Sequence, residues 1–170
     1  MIFSQTEIIM AKKDKDMKTN VMRLLDQAAI PYSHYCYVDT DAVSGVDVAR
    51  VMGQAEEKVF KTLVTTAQSG QHYVFVIPVA CELNLKKAAL ACKEKSIEML
   101  KQKDLLPLTG YIHGGCSPIG MKKQFATYFH SSLAELDSVI FSAGKIGYQV
   151  EVKPDDLKTI LEYELADLIK

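Results

Sequence analysis

Residues 58–79, KVFKTLVTTAQSGQHYVFVIPV, consist of two runs rich in β-branched and aromatic residues, separated by the turn residues 68–71. Such runs favour β-strands, and a short polar segment with glycine between them is typical of a hairpin. The sequence therefore predicts antiparallel strands over 58–66 and 72–79. Because both faces of the first strand are largely apolar, Lys61 within it has no obviously wet side.

Shorter segments around this hairpin show helical and strand patterns. Thr19 and Asn84 are positioned to cap helices, and Pro154 followed by two acidic residues marks the start of another. Further helices are expected over 46–52 and 101–106, and strands over 32–38, 124–129, 138–142 and 146–152, while 97–100 fits either. Because these elements mix without regular βαβ alternation, we expect an α/β protein of the α+β type, with a mixed, curved sheet flanked by helices.

Length and composition indicate one folded domain. The chain has 170 residues, of which 48% are hydrophobic and 24% charged, and its formal net charge is −1. These values are far from those of disordered chains, and near neutrality argues against a protein that binds nucleic acid over its whole surface. We expect residues 1–18 to form a flexible leader and residues 19–170 to form the domain.

The four cysteines show no C-x-x-C pairing, and the four histidines are dispersed. The sequence therefore predicts no metal site and no disulfide framework, and reduced thiols are typical of a cytoplasmic protein. No basic region precedes an uninterrupted apolar run at the N-terminus, so no signal peptide is expected. No later segment is long enough to span a membrane.

Residues 110–120, GYIHGGCSPIG, contain four glycines, a proline and a serine. This composition is incompatible with a helix or a central strand and predicts a shaped loop, called the glycine loop below. Backbone N–H groups in such a loop can approach phosphate or carbonyl oxygens closely. A tight connection between strands is an equally good interpretation of the spacing alone.

Three segments in this order resemble the YbaK/EbsC family of Cys-tRNA(Pro) deacylases. They are FKTLV at 60–64, the glycine loop at 110–120 and SAGKIG at 142–147. This family is related to the editing domain inserted in bacterial prolyl-tRNA synthetases. The resemblance extends over residues 19–170 and implies a mixed, barrel-like sheet flanked by helices.

The resemblance implies a trans-editing enzyme that removes cysteine from mischarged Cys-tRNA(Pro) without a cofactor. In this family the thiol of the substrate is thought to attack its own ester carbonyl and to release a cyclic thioester, so the protein supplies geometry rather than a nucleophile. Lys61 matches the catalytic or substrate-anchoring lysine of the family. The implied substrate-binding residues are Tyr37, Thr62, Gly114, Gly115, Ser117, Ser142, Gly144 and Gln149.

Some of these residues have other interpretations. A lysine in a strand often extends its ammonium group into solvent, and Tyr37 could simply pack on the core. Cys116 lies in the glycine loop, but no histidine is placed by sequence to activate it, so we favour a role in the wall of the site over covalent catalysis. Gln149 stands where the family often carries aspartate, which weakens any scheme that needs a carboxylate there.

The expected partners are the acceptor end of mischarged tRNA(Pro) and, transiently, prolyl-tRNA synthetase. Another small aminoacyl-tRNA, such as Ala-tRNA(Pro), is an alternative substrate. A non-enzymatic regulatory or interaction protein on the same fold is the alternative outside the enzyme class.

Overall fold

The structure, a computed structural model, describes residues 18–170. Its helices are α1 (Asn20–Gln27), α2 (Gly45–Val51), α3 (Leu85–Cys92), α4 (Gln102–Thr109) and α5 (Pro154–Leu157). Its strands are β1 (Ser33–Cys36), β2 (Phe60–Ala67), β3 (His72–Pro78), β4 (Ile97–Met99), β5 (Ala126–His130), β6 (Val139–Ser142), β7 (Tyr148–Val152) and β8 (Glu164–Ala166). Short 3-10 helices cover Glu56–Lys58 and Ser131–Glu135.

The strands form two sheets. The larger has the order β4-β2-β3-β5-β8 and the smaller the order β1-β7-β6. The β3–β5 and β5–β8 pairs are parallel and the other pairs antiparallel, so the expected mixed sheet flanked by helices is confirmed. The barrel-like closure is corrected, because within residues 18–170 the sheets are joined only at the bridge between Val59 and Ile140.

The predicted hairpin is confirmed, since β2 and β3 pair antiparallel with Thr62 opposite Val76. Both faces of β3 are buried in separate clusters. Val74 and Val76 pack in the cluster that also contains α1 and the smaller sheet, while Phe75 and Ile77 pack under α3. Burial of both faces explains why the strand reads as a continuous apolar run.

Two predicted helix starts are confirmed in detail. The side chain of Thr19 accepts a hydrogen bond from the backbone N–H of Met22 at 3.2 Å. The side chain of Asn84 accepts bonds from the N–H groups of Lys86 and Lys87, both at 3.1 Å. These side chains satisfy backbone donors that have no partner within the helix.

The predicted end of the 101–106 helix, just before Pro107, was wrong, because α4 continues through the proline to Thr109. Proline has no N–H to donate to the carbonyl of Lys103, four residues earlier, and Lys103 is exposed to water. The last turn is held by the bond from Thr109 Oγ1 to the Leu105 carbonyl at 2.7 Å. Gly110, at a φ of +84°, ends the helix instead.

The predicted leader falls almost wholly outside the described residues. Of residues 1–18 the structure describes only Lys18, whose ammonium group lies 2.5 Å from the carboxylate of Asp26 on α1.

Candidate active site

A cleft of about 440 Å³ opens beside the edge of β2, between that strand and the smaller sheet. Its volume lies in the range of small-molecule sites. Residues from β2, the β6–β7 pair, the start of α2, the start of α4 and the glycine loop line it. Of the predicted site residues, the cleft is lined by Lys61, Tyr37, Thr62, Gly114, Ser142 and Gln149.

The cleft exists because β2 is paired only in part along one edge. The N–H of Leu100 donates to the carbonyl of Val64 at 3.1 Å, and β4 pairs with β2 only from Thr65 onward. Backbone groups two residues apart in a strand point to the same edge, so the N–H and C=O of Thr62 also face away from β3. That stretch of edge borders the cleft instead of a neighbouring strand.

Lys61 is half-buried, lines the cleft and has no acidic partner among residues 18–170. Lys58, three residues earlier, is different, since its ammonium lies 2.7 Å from the carboxylate of Asp137. The charge of Lys61 is therefore available to a bound anion or a carbonyl oxygen.

Ser142 and Gln149 are brought to the cleft by the antiparallel pairing of β6 and β7, where they lie opposite each other. The N–H of Gly144 donates to Ser142 Oγ at 3.1 Å, so the hydroxyl keeps its own proton to donate. Gln149 is only 5% exposed, and its Oε1 accepts a bond from Gln54 Nε2 at 2.8 Å. Both residues therefore carry an unused donor at the cleft wall.

The glycine loop reaches the cleft through a tight turn. The N–H of Gly115 donates to the carbonyl of Ile112 at 3.0 Å, and Gly114 has a φ of +88°, as the third residue of such a turn requires. His113 and Gly114 are the turn residues that line the cleft. The amide of Gly115 is already used in closing the turn, whereas Gly114 lines the cleft.

Three of the residues predicted to bind substrate, Gly115, Ser117 and Gly144, are not among those that line the cleft. A Cβ on Gly115 would lie 3.0 Å from the backbone nitrogen of Ile146, so glycine permits the close packing of this loop against the β6–β7 turn. Ser117 is fully buried and its Oγ accepts a bond from the N–H of Ile119. A Cβ on Gly144 would lie 2.9 Å from the ring of Tyr111.

Cys116 is a wall residue, in agreement with the interpretation favoured from the sequence. It lines the cleft, but it is 9% exposed, and burial raises the pKa of its thiol to about 12. A thiol with that pKa is protonated near neutral pH and is a poor nucleophile.

The polar groups at the cleft are donors rather than anions. Among the described residues, no aspartate or glutamate lines the cleft, while Lys61, Ser142, Gln149 and Tyr37 do. Thr62 Oγ1 is buried with no hydrogen-bond partner, which is costly unless a ligand or water satisfies it. Residues 18–170 contain no group of three or more side chains suited to hold a metal ion.

Gln54 and His113 were not among the predicted site residues. Gln54 is 95 positions from its partner Gln149 and belongs to no motif, so no local signal indicates it. His113 lies within the glycine loop, and its place in the turn is a signal that could have indicated it.

Residues 40–160 match the sequence profile of the aminoacyl-tRNA editing domain. The chain belongs to the aminoacyl-tRNA editing domain family. A family relative from Enterococcus faecalis, named "Putative Cys-tRNA(Pro)/Cys-tRNA(Cys) deacylase EbsC", is 44% identical over 160 residues, which cover 94% of this chain and 98% of the relative.

Solved structures have the same fold as this editing domain. One, described as "a putative trans-editing enzyme for prolyl tRNA synthetase", has a TM-score of 0.76 at 20% identity and covers 88% of this chain and 94% of its own. A second, described as a hypothetical protein, has a TM-score of 0.78 at 18% identity and covers 88% and 99%. In the described part of this editing domain, no helix has the length and hydropathy needed to cross a membrane.

Proposed function

We propose that this protein is a trans-editing deacylase that removes cysteine from mischarged Cys-tRNA(Pro) in the cytoplasm. The observation that carries the proposal is the cleft beside β2, which combines the unpaired ammonium of Lys61 with neutral donors and, among the described residues, no carboxylate. An aminoacyl ester on the terminal ribose presents the complementary groups, namely carbonyl, hydroxyl and phosphate oxygens. Family membership and the name of the E. faecalis relative support the same activity.

The reaction proceeds through the thiol of the substrate. Its sulfur bonds to the carbonyl carbon of the same cysteine, the ester C–O bond breaks, and the thiol proton ends on the released ribose hydroxyl. The products are free tRNA and a cyclic thioester, which water then opens to cysteine. The protein has to fold the ester into attack geometry and stabilise charge on its oxygen.

Lys61 anchors the terminal phosphate or polarises the ester, since both groups accept from a cation. No protein nucleophile is required, and the buried thiol of Cys116 is poorly suited to be one because its pKa is about 12. Gly114 contributes its free backbone amide at the mouth of the glycine loop.

The partner in catalysis is the acceptor end of tRNA(Pro). A chain of net charge −1 offers only local lysines to the phosphates, so binding is weak and salt-sensitive. We propose that prolyl-tRNA synthetase, binding transiently, presents the mischarged tRNA. If the isolated protein distinguishes tRNA(Pro) from tRNA(Cys) as strongly as the mixture does, the synthetase has no part in specificity.

The decisive experiment compares deacylation of Cys-tRNA(Pro), Ser-tRNA(Pro) and Ala-tRNA(Pro). Serine keeps the size of cysteine but replaces the thiol by a hydroxyl that is far less ionised, so its rate should fall well beyond the roughly 10- to 200-fold typical of selection by pocket size. A cyclic thioester trapped among the products supports the route directly. Similar rates for the three substrates would refute thiol assistance, preference for alanine would identify the alternative substrate, and no turnover would favour a non-enzymatic role.

A further inference from the structure

Gln149 lines the cleft, and its side-chain amide also bonds to Gln54. Its Oε1 is occupied by the bond from Gln54 Nε2 at 2.8 Å, while its own nitrogen donates to no group in residues 18–170. The oxygen of Gln149 therefore faces away from the cleft and the N–H₂ group faces into it. Gln54 does not line the cleft and contacts the oxygen end of the Gln149 amide.

This orientation of the two amides is favoured over the reverse one because it leaves fewer buried polar groups without a hydrogen-bond partner. Gln54 Oε1 is buried without a partner. If both amides were turned over, Gln149 would donate to Gln54, and the N–H₂ group of Gln54 would take the buried position with no acceptor. Two unpaired donors cost more than one unpaired carbonyl oxygen, so the pair settles with the nitrogen of Gln149 at the cleft.

A second donor lies beside this one. Ser142 is directly opposite Gln149 across the β6–β7 pair, which places the Cβ atoms of such neighbours about 5 Å apart. Its Oγ already accepts from Gly144, so its hydroxyl proton is free to donate into the cleft. Two neighbouring donors on a rigid strand pair can bind one oxygen between them, as in an oxyanion hole.

We propose that Ser142 and Gln149 together bind the ester carbonyl oxygen as it gains charge, and that Gln54 is a positioning residue that holds Gln149 with its donor toward the substrate. This inference rests on the proposed deacylation and adds to it the group that stabilises the transition state. Sequence patterns around Gln54 do not indicate the role.

The test is the substitution Gln54→Glu. A carboxylate only accepts, so Gln149 must turn over to donate to it, and its oxygen then faces the substrate carbonyl. Near neutral pH we expect kcat to fall about tenfold or more with KM nearly unchanged, because the lost interaction forms only in the transition state. Gln68→Glu is the matched control, since it adds a carboxylate at an exposed residue that does not line the cleft.

The pH profile separates this role from a structural one. When the introduced carboxyl group is protonated, it can donate to Gln149 Oε1 as the native glutamine does, so the activity of the variant relative to the wild type should recover as the pH falls toward about 5. Taking the ratio at each pH cancels titrations common to both proteins. The titratable and charged groups near the pair are Tyr37, Lys61, His113 and Cys116 at the cleft, Tyr35 and Glu151 on β1 and β7, and Arg50, Glu56 and Glu57 near Gln54 in the chain.

A readout independent of activity is the side-chain amide resonance of Gln149 by NMR, assigned by its loss in Gln149→Glu. It should move downfield in Gln54→Glu near neutral pH, because the amide then donates to a carboxylate, and return at low pH. An unchanged resonance, a Gln54→Glu variant as active as the wild type, or an equal loss in Gln68→Glu would overturn the inference. A wild-type protein that deacylates no aminoacyl-tRNA would instead refute the proposed function, and the resonance would still report which way the amide points.

Discussion

Ser142 and Gln149 face each other across the β6–β7 pair and present unused donors to the same cleft. The turn between them contains Gly144 and Gly147, with φ angles of +86° and +95°. Only glycine adopts such angles without strain, so this turn sets the register that places the two side chains opposite each other. The glycines thus contribute to the site through geometry rather than contact.

Substitution of Lys61 by alanine should abolish deacylation while leaving the unfolding midpoint nearly unchanged. The lysine has no ion pair with any described residue, so its loss removes substrate binding without breaking a structural contact. Deacylation of Cys-tRNA(Pro) and urea unfolding measure the two effects. Lys58→Ala is the matched control, because it removes a lysine whose exposed ion pair with Asp137 contributes little stability. Wild-type turnover by Lys61→Ala would refute the role of this residue.

Cys116→Ala should retain most activity, because the proposed nucleophile belongs to the substrate. The variant should lose about 1 kcal/mol of stability through the small cavity it leaves. In the wild type, alkylation followed by mass spectrometry should find Cys116 slower to react than the less buried Cys36, since burial raises its pKa to about 12. An acyl-thioester trapped on Cys116 would contradict this prediction.

Gly144→Ala should destabilise the protein more than Gly70→Ala does. Both residues have a similar positive φ, of +86° and +89°. Both variants therefore carry the same backbone strain of about 1–2 kcal/mol. A new Cβ at Gly144 would lie 2.9 Å from Tyr111, whereas at Gly70 nothing lies within 4 Å. The steric clash should therefore lower the free energy of unfolding of Gly144→Ala by about 1–3 kcal/mol more than that of Gly70→Ala, as measured by urea unfolding. Equal losses in the two variants would show that Tyr111 moves without cost.

Stability should fall as the pH is lowered below about 6.5, the ordinary pKa of histidine, in part through His130. Burial lowers the pKa of His130 in the folded protein, so the unfolded chain binds the proton more readily. The N–H of Leu168 donates to His130 Nδ1 at 3.2 Å, an interaction that protonation of that nitrogen removes.

The matched variant for this effect is His130→Asn, because asparagine can accept the bond from Leu168 without titrating. Urea midpoints at about pH 7.5 and about pH 5, on either side of the ordinary histidine pKa, should differ less for this variant than for the wild type. The same difference in both proteins would assign the pH dependence to other groups.

Much of the local structure could be predicted because its causes lie within a few residues. The caps at Thr19 and Asn84, the β2–β3 hairpin and the shaped loop at 110–120 each follow from side chains that act on nearby backbone. Pro107 shows where this reasoning fails. A proline penalty is local, but whether a helix continues depends on the solvent at the freed carbonyl and on the next capping residue.

The candidate site, like the local structure, could be predicted from the sequence only in part. Lys61, Gly114 and Ser142 were predicted from motifs, and all three line the cleft. Gly115 and Ser117 belong to the same motif as Gly114. The amide of Gly115 is nevertheless hydrogen-bonded within a turn, and Ser117 is buried. A motif specifies residue types along the chain and does not specify which of their donors remain free.

The sequence by itself determined the family, the mixed class of the fold and the segments that carry the chemistry, because each is written in residue types at short spacing. Only the tertiary structure decided that the two sheets of the described domain meet at the Val59–Ile140 bridge and that the edge of β2 near Thr62 is left unpaired. The hydrogen bond between Gln54 and Gln149 was likewise decided by the tertiary structure. These depend on residues far apart in the chain, whose contacts arise from packing of the whole domain. The direction in which the amide of Gln149 points was settled by that packing, since it depends on which polar atoms can be left buried without a partner.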